Sequence, residues 1–193
     1  MNLKLFNELI CPRLEQHFPE WKMFLEICEI YLKNHKIENP VVVELGIWKN
    51  IQKRFWEQLF GATHIGIDHT RRRGKPDIYA EIHSPGTMKI LKEKLNGRPI
   101  NILFIDADHS YEAVKKDYEV FSPLCSDIIV LHDINSCRHE ENKQVEVWRF
   151  WDELKLKAYN GEEEYKNFLF LSIHQYIWEG HRIQMGIGLI MKK

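Results

Sequence analysis

At 193 residues the chain is long enough for one domain that buries most of its apolar surface, so no disulfide or metal is needed to hold it together. Its 27 basic and 28 acidic side chains leave a net charge of -1, which argues against a general nucleic-acid-binding or anionic-membrane surface. The four cysteines, Cys11, Cys28, Cys125 and Cys137, lack zinc-knuckle or CxxC spacing and read as reduced thiols. No apolar run reaches signal-peptide or membrane-spanning form, and the expected location is cytoplasmic.

From Leu3 to about Lys36, apolar residues recur every three or four positions and predict two helices. Pro12 and Pro19 place the break between Cys11 and Glu20, because proline inside a helix costs about 3 kcal/mol. Residues 1–38 are expected to form a helical cap on an α/β unit spanning residues 39–193, one domain overall. The run Pro40 to Gly46 is a β-branched strand closing on Glu44, and Gly46 permits a tight turn. Asn50 to Phe60 has helical spacing, and His64 to Asp68 is a second strand ending on an acid, which makes a parallel βαβ unit.

The basic loop Arg71, Arg72, Arg73, Gly74, Lys75 precedes a strand candidate at 77–82. Its arginines suit either a solvated loop or an anionic acceptor. Thr87 to Leu95 is helical and stops at Gly97; Asn101 to Ile105 is the fourth strand; Tyr111 to Phe121 is helical; Asp127 to Leu131 is the fifth strand, followed by His132 and Asp133. Ser136 to Gln144 reads as a loop and Val145 to Leu156 as a helix whose Trp148 and Trp151 either line the core or wall an acceptor. Two last strands are expected at Phe168–Ile173 and Gly186–Met191, joined through Glu179 and Gly180. This alternation predicts a three-layer α/β domain around a parallel sheet.

Ligands of such sheets bind beyond the carboxyl ends of the strands, and Glu44, Asp68, Asp106 and Asp133 all fall there. Each alone is an ordinary turn or cap acid; four together suggest a ligand-binding rim. The Glu44 to Asp68 gap is near the spacing of about 20 residues at which an acid takes a ribose. After Gly46 neither GxGxxG nor a P-loop follows, which weighs against NAD and ATP. Asp106, Asp108 and His109 close the stretch NILFIDADHSY, where oxygen ligands suited to a magnesium ion and an imidazole base come together. His109 could equally cap the helix that follows, and His132 could bind substrate or as readily satisfy local backbone groups.

The segments VVVELG, HIGIDHT, NILFIDADHSYEAVKKDYEVFSPL and DIIVLHDIN, with the terminal GIGLIM, resemble class I S-adenosylmethionine-dependent methyltransferases, in particular the group containing sugar O-methyltransferases and proteins labelled cephalosporin hydroxylase. The resemblance covers about residues 38–156 and implies a Rossmann-like, mostly parallel seven-stranded sheet whose last strand is antiparallel. It implies S-adenosylmethionine held by Glu44, Gly46, Asp68 and Asp106. It implies methyl transfer to a hydroxyl of a small-molecule acceptor, such as a sugar, near the catalytic Asp106 and His109. Asp106 and Asp133 match acids that bind Mg2+ in several members, although here Ile134 separates Asp133 from Asn135. The segment Ala80, Glu81, Ile82 matches the loop beside the adenine. Trp48 and Asn50 stand where the family has small residues and a second glycine; asparagine tolerates left-handed backbone better than most residues. A scaffold protein with degenerate cofactor capture, and less favourably a metal-dependent oxygenase, are the rival readings. The sequence leaves a homo-oligomer open.

Overall fold

A computed structural model describes residues 1–12, 14–71, 73–138, 145–174 and 185–192. The expectations for Arg72 and for the Glu179–Gly180 connection lie outside these residues, as does most of the 136–144 loop.

Helix α1 (Leu3–Leu9) opens on an Asn2 cap whose side chain accepts the Leu5 N–H, and α2 (Phe18–Asn34) carries Pro19 in its first turn, where its missing N–H costs nothing. The expected break between the helices is therefore present. Strands β1 (Val41–Leu45), β2 (Thr63–Asp68), β3 (Ile78–Tyr79), β4 (Ile100–Ile105) and β5 (Cys125–His132) alternate with α3 (Lys53–Phe60), α4 (Pro85–Leu95) and α5 (Tyr111–Phe121). After them come α6 (Val147–Tyr159), β6 (Phe168–Ile173) and β7 (Ile187–Lys192). The strands form one sheet in the order β3-β2-β1-β4-β5-β7-β6, parallel except for β7, which runs antiparallel between β5 and β6.

Alternate residues of the central strands feed two cores. Val41, Val43 and Leu45 of β1 face α4, α5 and α6. Val42, with Ile102, Phe104, Ile128 and Val130, faces α1, α2 and α3. The second core is aromatic: Trp21 makes edge-on contacts with Phe55, Trp56 and Phe104 at ring separations of 5.7–5.9 Å, each adding about 1 kcal/mol beyond the area it buries. Trp151 belongs to the first core and donates to Ser172 Oγ at 3.1 Å, so of the two readings of this tryptophan the core one holds.

Two elements differ from expectation. The strand expected over 77–82 shrinks to Ile78–Tyr79 because Asp77 turns its carboxylate back to the Gly66 N–H and Lys53, and the chain leaves the sheet after Ala80. Asn96, at φ 48, begins the left-handed stop of α4 one residue before the expected Gly97, itself at φ 80. Among the described residues no helix is long and apolar enough to cross a membrane.

Candidate active site

The strand order reverses between β1 and β4, and a cleft of about 650 Å³ opens at the carboxyl ends there, a volume ordinary for a small-molecule site. Gly46 ends β1 at φ 79, and a Cβ at this position would stand 2.3 Å from the Asp106 carbonyl oxygen and 2.6 Å from Ala107 Cα. The two strand-end loops thus press together, which only glycine allows. The next residues also bend left-handed, Trp48 at φ 45 and Asn50 at φ 56. Asn50 takes the conformation its side chain tolerates and donates from Nδ2 to Lys75 O at 2.9 Å. For a tryptophan this region is strained. Trp48 is held there by Arg73, stacked 3.7 Å from its ring centre, and by Gly74 against its carbonyl. Arg71 stacks on Tyr79 at 4.1 Å, so both described arginines of the basic loop lie on aromatic faces.

Asp68 ends β2 only 6% exposed. Its carboxylate accepts the Ile47 N–H at 3.1 Å and the Thr70 N–H at 2.8 Å, one on each oxygen, and so ties the turn after β1 to its own loop. Lone pairs remain on both oxygens for a ligand. Gly46, Asp68 and Asp106 all line the cleft, together with Glu81 and Ile82 of the segment expected beside the adenine and with His83, which follows that segment.

Glu44 is a correction. It faces the aromatic core side of the sheet beside Val42, has no exposed surface and lies with Oε2 2.7 Å from His64 Nε2. Burial pushes its pKa up, His64 opposing. Burial works against charge on His64, yet the Asp77 and Glu44 carboxylates outweigh it and raise its pKa. A carboxylate so enclosed is not among the residues lining the cleft, and in place of the direct hold on a cofactor expected of it stands a buried pair between neighbouring strands.

Around Asp106, which lines the cleft, acids and histidines converge. His109 Nε2 lies 3.3 Å from Asp106 Oδ1 and 3.3 Å from Asp133 Oδ2. His132 Nδ1 lies 3.1 Å and 3.6 Å from the same two oxygens. The β5 terminus makes this possible: Asp133 turns left-handed at φ 63, and Ser136 Oγ donates to its Oδ1 at 2.6 Å. Burial opposes charge on both acids, but the neighbouring imidazoles win and hold Asp106 and Asp133 below the usual carboxylate range. Conversely the hydrogen bond to Asp106 raises His109, and the two carboxylates overcome burial to raise His132 well above its ordinary value. Donor atoms of Asp106, His109 and Asp133 all lie within 4.8 Å of one another. Asp108, offered as an oxygen ligand by the sequence, and Asn135 stand outside this cluster. Asp108 accepts the Ser110 N–H as a turn cap, and Asn135 lies against Gly186.

Sequence reasoning passed over Asp117, which α5 contributes to the lining of the cleft. The signal was there: an acid among Val114, Tyr118 and Phe121 sits on the buried face of that helix. Burial, followed by the charge of Asp108, pushes its carboxyl up to about 7 from an ordinary 3.8. Between those values the folded chain keeps a proton that the unfolded chain releases, so stability falls as pH rises through that window. Asp117→Asn lacks this titration. It is expected to gain on the wild type by on the order of 2 kcal/mol between pH 5 and pH 8, read as a widening difference in thermal midpoints.

A doubly wound sheet of this strand order, with an acid-rimmed cleft at the β1/β4 reversal, is the architecture of the Rossmann-like methyltransferases. The chain belongs to the methyltransferase-domain family, whose model matches residues 33–134. A search of curated protein sequences finds no match. Among solved structures, the MycE methyltransferase from the mycinamycin biosynthetic pathway, in complex with Mg, S-adenosylhomocysteine and mycinamycin VI, superposes with a TM-score of 0.63 at 13% identity, covering 98% of this chain and 52% of MycE. This chain therefore spans about half the length of that protein. The O-methyltransferase from Bacillus cereus bound to S-adenosylhomocysteine gives 0.60 at 13% identity over 99% and 88% of the two chains. TomG, an O-methyltransferase from Streptomyces achromogenes involved in tomaymycin synthesis, with S-adenosylmethionine, gives 0.60 at 13% over 97% and 85%. At these identities the likeness is one of fold.

Proposed function

We propose that the chain transfers the methyl group of S-adenosylmethionine to a hydroxyl of a small, hydroxylated acceptor such as a sugar. One observation carries this reading: a single cleft is lined by a backbone-anchored acid, Asp68, and by Asp106, which it shares with the cluster of His109 and Asp133. The family and the ligands of the similar structures agree with it.

The cofactor supplies an electrophilic methyl carbon on a sulfonium sulfur. Asp68 accepts hydrogen bonds from the two vicinal ribose hydroxyls with the lone pairs its own loop leaves free. Gly46, by admitting the Asp106 loop so closely, brings the acid cluster to the edge of the cofactor site. There the chain would hold an acceptor oxygen against the methyl carbon, and a carbon–oxygen bond would form as the carbon–sulfur bond breaks, its electron pair passing to sulfur. The hydroxyl proton must leave to a base or to solvent.

Two carboxylate oxygens and an imidazole nitrogen suit a divalent cation such as Mg2+ or Mn2+. Asp106, His109 and Asp133 would hold it, and it would lower the pKa of an acceptor hydroxyl. His109 Nε2 is the atom that faces both carboxylates, so it cannot ligate and accept a proton at once. Because those carboxylates favour its protonated form, it serves as a base only above a raised pKa. We assign it to the cation. The cluster differs from the two-histidine, one-carboxylate set of the non-haem iron oxygenases, which weighs against the oxygenase reading.

Calorimetry tests the proposal. The protein is expected to bind S-adenosylmethionine and S-adenosylhomocysteine, and to bind Mn2+ in a manner that Asp133→Asn abolishes while cofactor binding stays. Failure to bind either nucleoside at millimolar concentration overturns it. Retention of Mn2+ affinity by Asp133→Asn removes the cation assignment alone.

A further inference from the structure

One side chain of the Asp106 cluster has no task in the proposed reaction. His132, the last residue of β5, is 4% exposed, and neither of its ring nitrogens makes a hydrogen bond among the described residues. Phe104 lies beside it at a ring separation of 6.1 Å. Its Nδ1 nevertheless faces the acids, 3.1 Å from Asp106 Oδ1 and 3.6 Å from Asp133 Oδ2. The shorter approach fails as a hydrogen bond on angle, so the nitrogen stands beside both carboxylates without pairing to either.

Buried polar atoms in folded proteins are nearly always paired, and a nitrogen left beside two carboxylate oxygens lacks whatever they would share. Ionised carboxylates only accept, so the shared guest is positive. His109 Nε2 repeats the arrangement, 3.3 Å from each of the same two oxygens. One imidazole thus approaches the acids from a buried position and the other, 33% exposed, from the solvent side. Donor atoms that share a cation at bonds of about 2.1 Å stand about 3.0 Å apart in octahedral geometry and about 3.4 Å apart in tetrahedral geometry. The nitrogen–oxygen separations here, 3.1–3.6 Å, fall around those values. Ligand chemistry then selects the ion. Magnesium prefers oxygen donors, whereas each imidazole nitrogen favours the later divalent transition metals.

We propose that His132 Nδ1 is a fourth protein ligand of the cation site and makes the site selective for a divalent transition-metal ion over Mg2+. The inference rests on the assignment of a cation to Asp106, His109 and Asp133, and it deepens that assignment by naming the class of ion. The methyl-transfer reading stands whichever ion is held.

The experiment is calorimetry of the full chain with Co2+ and with Mg2+ at a fixed pH, joined to the visible absorption of bound Co2+. Wild type is expected to prefer Co2+ by on the order of 100-fold. His132→Asn and His132→Ala should each lower Co2+ affinity by about tenfold or more, shift the Co2+ band and leave Mg2+ affinity within about threefold. A ring that merely braced the acids would weaken both ions alike when removed. A measurement on wild type guards against a folding failure in the variants: the electron spin echo of bound Mn2+ should be modulated by two imidazole nitrogens. A single coupled nitrogen, an equal loss of both ions in the variants, or an undiminished Co2+ preference overturns the inference and leaves the three-residue site in place. Absence of binding of all three ions by wild type overturns the cation assignment itself, and the role of His132 falls with it.

Discussion

Asp68→Ala is expected to weaken S-adenosylhomocysteine binding by about 100-fold or more. Two hydrogen bonds to a charged carboxylate contribute about 1.5 kcal/mol or more each, and together they correspond to at least two decades in affinity. A second loss adds to this. The same carboxylate ties the Ile47 and Thr70 amides, so its removal also frees the turn after β1 that lines the cleft. Asp68→Asn separates the two losses, because an amide oxygen can keep one of the backbone bonds while its NH2 group meets the other N–H unfavourably. Titration calorimetry gives both numbers. An Asp68→Ala protein that binds within threefold of wild type would remove the ribose assignment.

Gly46→Ala should cost about 4 kcal/mol in stability, a large value for one methyl group, and lower the thermal midpoint by roughly 10 °C. Two penalties combine. The backbone stands at φ 79, where a Cβ is strained, and the new carbon would lie 2.3 Å from the Asp106 carbonyl oxygen. That oxygen belongs to the Asp106–Ala107 peptide just beyond β4, so relief requires moving the loop that carries Asp106. Cofactor and cation binding should therefore fall together. Gly97→Ala is the control: it stands at φ 80 with nothing within 4 Å of the added carbon, and it pays the backbone part alone, about 1 kcal/mol. Melting curves of the two variants decide; if they coincide, the close approach of the two loops carries no energy.

The helices and central strands were readable because their apolar spacing is strong, and Tyr111–Phe121 and Phe168–Ile173 fall where the pattern placed them. The strand-end acids were readable for the same reason, since each closes an apolar run. What the pattern does not carry is which face of a doubly buried strand a residue joins. Every residue of Val41–Leu45 is buried, so nothing in VVVEL tells that Glu44 turns to the α2 side. Its partner His64 depends on the register of β1 against β2, which sets Val42 beside His64 and Glu44 beside Gly66, and register between parallel strands is a tertiary property. The clustering of His109 with Asp106 and Asp133 likewise needs the left-handed turn at Asp133. Asp117 was legible and was missed: a charge on the apolar face of a helix is the departure from pattern that most often marks a site.

The aromatic face of the sheet has a consequence in time. Its covering includes Leu189 and Met191 of β7 beside Trp21 and Phe24 of α2. Glu20 accepts the Gly186 N–H across a separation of 166 residues, and Tyr31 Oη donates to Lys192 O across 161. At synthesis rates of about 5–20 residues per second, roughly 8 to 33 s pass on the ribosome between the emergence of α2 and that of the strand that completes its burial. During that interval an indole- and phenyl-rich helix waits with part of its apolar face uncovered. Burial of that helix is completed only when β7 pairs between β5 and β6, a contact of long sequence separation whose closure is intrinsically slow.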